Sequence, residues 1–178
     1  YVATRWYRSP ELLLVSDNLP YGKEVDIWAI GCIMGELMDG QPLFPGDSEV
    51  DQLFVIQKVL GPLPDFLQDE FCRNTRYQGL KFPDISHPET IEVRYSPVMN
   101  DIEIDLMKKL LEMDPYQRMT AKQALNHEFF DDLRSSQVID SSVQVFLSLP
   151  RKPRVNITTN DNARFIKSCN LKANLSSM

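Results

Sequence analysis

Apolar side chains fall on nearly every face of the stretch from Lys23 to Met38 (Val25, Ile27, Trp28, Ala29, Ile30, Cys32, Ile33, Met34, Leu37, Met38), and a helix apolar all round is a buried one. This stretch is therefore expected to be the central helix of a core, stopped by Asp39-Gly40. Around it the pattern becomes one-sided. Ser48 followed by Asp51 resembles a capping box and opens a helix to about Leu60, with Leu53, Ile56, Val59 and Leu60 as its inner stripe. Asn100 with Glu103 opens another, whose Ile102, Leu106, Met107, Leu110 and Leu111 recur at helical spacing until Asp114-Pro115. Thr120 with Gln123 caps a short helix through Leu125 to His127. Upstream, Ser9-Pro10-Glu11-Leu12-Leu13-Leu14 has a Ser cap, Pro where its missing N–H costs nothing, and an acid in the first turn.

Two stretches break the pattern. Residues 61 to 99 scatter aromatics and prolines (Phe66, Phe71, Tyr77, Phe82, Pro83, Pro88, Tyr95, Pro97) without a sustained period, which predicts an ordered insert of short helices and turns. Beyond about Leu133 the chain turns Ser- and Asn-rich, with a short apolar stretch at Val143 to Leu149, and reads as a linker or disordered tail. The expected class is mainly α, with one domain over 1–130 and a tail over 131–178.

Composition narrows the function. At 178 residues, 43% hydrophobic and 25% charged, the chain is long enough to bury a core. A net charge of -6 argues against a nucleic-acid partner, which requires a basic face. The apolar run from Ile27 to Met34 is broken by Gly31 and too short for a bilayer, so no membrane partner is expected. Cys32, Cys72 and Cys169 are odd in number and far apart, which suggests a reducing compartment rather than disulfides or zinc. The first residue is Tyr and no signal region follows, so the natural start is expected to lie upstream. His87 and His127 have no acid or Cys at ligand spacing, which leaves them surface or capping roles and gives no metal site. Asn156-Ile157-Thr158 and Asn174-Leu175-Ser176 fit a glycosylation pattern that is common by chance, and Arg151-Lys152-Pro153-Arg154 is either a nuclear-import patch or ordinary tail.

Four motifs then occur in order: Tyr1-Val2-Ala3-Thr4-Arg5-Trp6-Tyr7-Arg8-Ser9-Pro10-Glu11, Asp26-Ile27-Trp28-Ala29-Ile30-Gly31-Cys32, Pro42-Leu43-Phe44-Pro45-Gly46 and Asp114-Pro115-Tyr116-Gln117-Arg118-Met119-Thr120. Together they resemble the protein kinases from the second half of the activation segment onward, with Ser9-Pro10-Glu11 in the place of the Ala-Pro-Glu signature. The first motif and the insert point to the branch holding the cyclin-dependent and mitogen-activated kinases. The run from Asp51 to Pro64 is most similar to the cyclin-dependent kinase-like family. The resemblance implies the helical C-terminal lobe of the kinase fold, with the N-terminal lobe absent and no Gly-rich loop, phosphate-contacting Lys, His-Arg-Asp or Asp-Phe-Gly in the chain. The parent enzyme would transfer the ATP γ-phosphate, with magnesium, to Ser or Thr of protein substrates in the cytoplasm or nucleus. The chain alone would be inactive and bind no cofactor. The alternative from another class is a non-catalytic interaction module, a truncated or pseudokinase product binding kinase partners or substrates.

The resemblance also assigns residues. Glu11 would form a buried ion pair with Arg118, Trp28 would be structural, and Asp26 would accept backbone N–H groups of a catalytic loop. Tyr1 would be phosphorylated by an upstream activating kinase, and Arg5 and Arg8 would receive that phosphate through their guanidinium forks. Ala3 and Arg8 would shape the pocket for the substrate residue after the phosphoacceptor, favouring proline, which has no N–H to satisfy. Thr4 would hydrogen-bond the catalytic Asp and Lys.

Overall fold

Helix α2 (Glu24–Asp39) is followed by Gly40 at φ 73°, whose N–H reaches back to the Glu36 carbonyl at 2.8 Å, the left-handed stop that glycine adopts without a Cβ penalty. The computed structural model describes residues 5–14 and 19–135. Of the expected tail only 131–135 is described, as a short helix; the remainder, with the apolar stretch 143–149 and the basic stretch 151–154, lies outside the described residues. The described part is helical throughout, with no strand among its elements. Before α2 come a 3-10 turn at Arg5–Tyr7 and the four-residue helix α1 (Pro10–Leu13). After it come α3 (Glu49–Leu60), α4 (Asp65–Arg73), α5 (Ile91–Tyr95), α6 (Asp101–Leu110), α7 (Ala121–Leu125) and α8 (Asp131–Ser135).

Trp28 and Cys32 of α2 are fully buried, and α2 packs against α6 and against the Arg5–Tyr7 turn. Burial pushes the Cys32 thiol up to about 12, against the opposing influence of Arg118. Two glycines set how near α6 comes. A Cβ at Gly31 would lie 2.7 Å from the Leu111 side chain, and one at Gly35 would lie 2.7 Å from the Tyr95 hydroxyl and 2.8 Å from Met107. The helix is not buried on all sides as its composition predicts. Ile30, Ile33 and Leu37 are 51%, 47% and 79% exposed, and with Leu125 and Phe129 they border an open apolar groove. An all-round apolar pattern requires cover on every face, and the described residues cover only part of this one.

Capping is more varied than the motifs suggest. At α6 and α7 both halves of the capping box are made, by Asn100 with Glu103 and by Thr120 with Gln123. At α3 only half is made: Ser48 accepts from the Asp51 N–H at 3.1 Å, but the Asp51 carboxylate accepts from Asp47 at 2.8 Å instead of returning to Ser48. At α1 the side-chain cap fails. The Ser9 hydroxyl is buried without a hydrogen-bond partner, and Pro10 and the backbone alone start the helix. On α6 Ile104 joins Leu106, Met107 and Leu110 as buried, while Ile102 is 38% exposed.

The insert is anchored at two points. Phe71 of α4 stacks on Tyr77 at 4.9 Å and meets Phe82 at 4.4 Å, and the Tyr77 hydroxyl donates to the Leu13 carbonyl of α1 at 2.9 Å. Burial first, and the Glu49 charge second, push that phenol up to about 12. At the other end, Glu89 and Thr90 donate their backbone N–H groups to the last-turn carbonyls Lys58 and Val59 of α3, at 2.8 and 3.0 Å. Thr90 does so at φ 67°, ψ 150°, a region that β-branched residues rarely occupy, while its hydroxyl caps α5 by accepting from Val93.

Candidate functional site

Four consecutive residues, Arg5 to Arg8, are each tied to α2, α3 or the loop between them. Arg5 donates to the Asp47 carbonyl at 2.8 Å, and the Trp6 indole N–H donates to the Gly46 carbonyl at 3.1 Å. The Tyr7 hydroxyl donates to the Glu36 carboxylate at 2.5 Å; that hydrogen bond, then burial and the Glu36 charge, hold the phenol above its ordinary range. Arg8 pairs with Glu49 at 3.8 Å. Glu49 is shared: Arg76 of the insert lies 3.7 Å from its other oxygen, and the Tyr77 hydroxyl 3.5 Å away.

Directly after this segment the chain dives inward. Ser9, Pro10 and Glu11 are buried, and Glu11 meets Arg118 through two parallel hydrogen bonds of 2.6 and 3.0 Å. The remaining three N–H groups of Arg118 reach the carbonyls of Glu24 (3.0 Å), Glu112 (2.7 Å) and Met113 (3.4 Å), so all five of its donors are committed. Its guanidinium also lies 5.1 Å from the ring of Trp28, which is stacked on Phe44 at 5.8 Å. Glu11, Trp28 and Arg118 thus form one buried unit joining α1, the start of α2 and the turn after α6.

Asp26 stands apart from this unit. It is exposed in the first turn of α2, and its carboxylate has no partner among the described residues. Tyr1, Ala3 and Thr4 lie outside the described residues. No group of three His, Cys, Asp or Glu that could hold a metal ion occurs among the described residues. His127 does have an acid partner that spacing did not reveal. It is buried, its Nδ1 accepts from the Phe129 N–H at 3.2 Å, and its Nε2 faces Asp105 of α6 at 2.7 Å. With Nδ1 an acceptor, the ring proton sits on Nε2 and is donated to the carboxylate.

Sequence reasoning missed Glu36, Gln52 and the Gly46–Asp47 carbonyls. Glu36 carried a signal, as an acid set between apolar residues in the last turns of an apolar helix. Gln52 carried none, because a glutamine beside Leu53 looks like the polar flank of an inner stripe.

A short turn-forming segment fixed across a glycine-bearing helix and followed by a buried Glu–Arg pair is the arrangement of a kinase's helical lobe. The chain matches the protein kinase domain family over residues 1–130 and belongs to that family. It is 54% identical over 153 residues to cyclin-dependent kinase-like 5 of Mus musculus, a match covering 86% of this chain and 16% of that protein. It is 48% identical over 130 residues to cyclin-dependent kinase-like 2 of Oryctolagus cuniculus (73% of this chain, 22% of that protein) and 44% over 138 residues to cyclin-dependent kinase-like 4 of Homo sapiens (78% and 36%). The chain therefore spans well under half the length of each of these relatives.

Proposed function

We propose that residues 1–130 are the substrate-holding part of a serine/threonine protein kinase of the cyclin-dependent kinase-like type, and that 131–178 form a linker or tail. The parent enzyme transfers the ATP γ-phosphate, with magnesium, to Ser or Thr of protein substrates, with proline or a small residue favoured after the target. The observation that carries this reading is the fastening of Arg5, Trp6, Tyr7 and Arg8 to α2, α3 and their loop. Phosphoryl transfer requires little covalent chemistry from the protein and much positioning, so a peptide platform held at four successive residues suits that task. Arg8 occupies the carbonyl near Ala3 and, with Arg5, receives the phosphate that an upstream kinase places on Tyr1. Asp26 accepts from a catalytic loop supplied by the parent, and Thr4 bonds the catalytic Asp and Lys there. Isolated, the chain neither phosphorylates nor binds ATP, and the parent works in the cytoplasm or nucleus.

The test is the parent kinase with Arg8→Lys, assayed on paired peptides carrying Pro or Ala after the phosphoacceptor, with and without phosphate on Tyr1. Lys keeps the charge and lacks the planar fork, so the Pro-to-Ala ratio and the gain from Tyr1 phosphorylation should both fall. An unchanged ratio would remove the specificity role. Arg5→Lys should weaken only the response to phosphate.

A further inference from the structure

The hydrogen bond between Trp6 and Gly46 belongs to a ring of three. The Trp6 indole N–H donates to the Gly46 carbonyl (3.1 Å), the Gly46 N–H donates to the Gln52 Oε1 (3.1 Å), and the Gln52 Nε2 donates to the Trp6 carbonyl (3.4 Å). Every member is donor to one neighbour and acceptor from the other, the arrangement in which hydrogen bonds polarise one another. The Gly46 N–H is shared with the Phe44 carbonyl at 3.0 Å, and this holds the loop turned toward α3.

We propose that Gln52 is a positioning residue for the substrate platform, setting the height and direction of the Arg5–Arg8 segment through this ring; the proposal rests on the platform reading given above. Three observations converge. First, Gln52 is 0% exposed, and a carboxamide is retained in a dry site only when both its ends are satisfied. Here one end holds the segment and the other holds the loop. Second, Gly46 leaves no room for a side chain: a Cβ there would lie 2.5 Å from the Gln52 Cα and 2.6 Å from its backbone nitrogen, so the loop lies directly on the backbone of α3. Third, the ring closes on Trp6, which lies between Arg5 and Arg8. A shift of the Trp6 carbonyl therefore moves both guanidinium groups that the platform depends on. Gln52 touches neither substrate nor phosphate, and its effect passes through Trp6.

The experiment compares Gln52→Met and Gln52→Glu. Met keeps the volume and removes both hydrogen bonds. Glu keeps the acceptor for Gly46 but sets a carboxylate oxygen against the Trp6 carbonyl, so only the tie to the segment is broken. In this chain the Trp6 indole Nε1–H resonance should move and exchange faster with solvent in both variants. In the parent kinase, KM for the Pro-bearing peptide should rise roughly tenfold, the worth of a hydrogen bond of about 1.4 kcal/mol, with a smaller change in kcat. A Gln52 that only fills space predicts that Met is silent, so an unshifted indole signal together with an unchanged KM in Gln52→Met overturns the proposal. Arg8→Lys, run alongside, separates the two ideas. If Arg8→Lys alters the Pro-to-Ala ratio while Gln52→Met leaves KM alone, only the role of Gln52 is refuted. If Arg8→Lys leaves the ratio alone, the platform itself is refuted. Should Gln52→Met fail to fold, Gln52→Glu with the same two readouts decides the matter.

Discussion

Arg118 has no donor to spare: two N–H groups go to Glu11 and three to backbone carbonyls, all out of water. Removing either partner strands a buried charge, so Glu11→Ala and Arg118→Ala should each cost ~3 to 5 kcal/mol. Thermal melts of the two single variants and the double variant give the test. The double loss should fall well short of the sum, and simple additivity would show that the pair does not act as one. Thr90 offers a second residue-scale test. Thr90→Ala loses the α5 cap and keeps the backbone at φ 67°, whereas Thr90→Gly loses the cap but relieves the strain. Glycine should therefore be the more stable of the two, by at least about 1 kcal/mol, since it is also the better residue at a helix N-cap. A melt in which Ala wins would show that the site carries no strain. The Glu11–Arg118 pair was legible in the sequence because each member sits in a motif of its own. Thr90 and Gln52 were not, since a left-handed backbone and a buried carboxamide leave no mark on the residue type.

Helices were read best where their ends are written in side chains. The two complete capping boxes at Asn100 and Thr120 lie where the sequence places them, because Asn/Glu and Thr/Gln three residues apart satisfy each other locally. Ser9 fails as a side-chain cap because its hydroxyl is drawn into the interior with Pro10 and Glu11, a tertiary requirement that no local rule contains. The same limit hid the contact between α6 and the turn after α7, where Asp105 meets His127 across 22 residues. Lys109, and after it His127, hold the Asp105 carboxyl below the ordinary carboxylate range. With the folded pKa below the unfolded one, its contribution is present above the unfolded value, about 3.9, and is lost as pH falls through the folded value. Asp105→Asn should flatten the decline of melting temperature below about pH 4 relative to wild type. The carboxylate is half-exposed, so the effect will be modest, and superimposable acid limbs would dismiss it.

At the scale of the molecule, the helical class and the order of α1, α2, α3, α6 and α7 could be read from apolar spacing and helix-end signals. The orientation of the insert could not, because its anchors are a phenol on a distant carbonyl and two N–H groups on a helix end. Nor could the open side of α2, since composition reports how apolar a helix is and not which of its faces the chain itself covers. The same helix carries Gly31 and Gly35, where α6 and its flanks press within side-chain distance. Each glycine costs about 0.8 to 1.0 kcal/mol of helix propensity relative to alanine, and in proteins most helical stability comes from packing rather than propensity. The element at the centre thus draws its stability from its neighbours, a keystone rather than a post. It holds its shape with the arch around it complete, so a cut between α2 and α6 should leave pieces less stable than the whole.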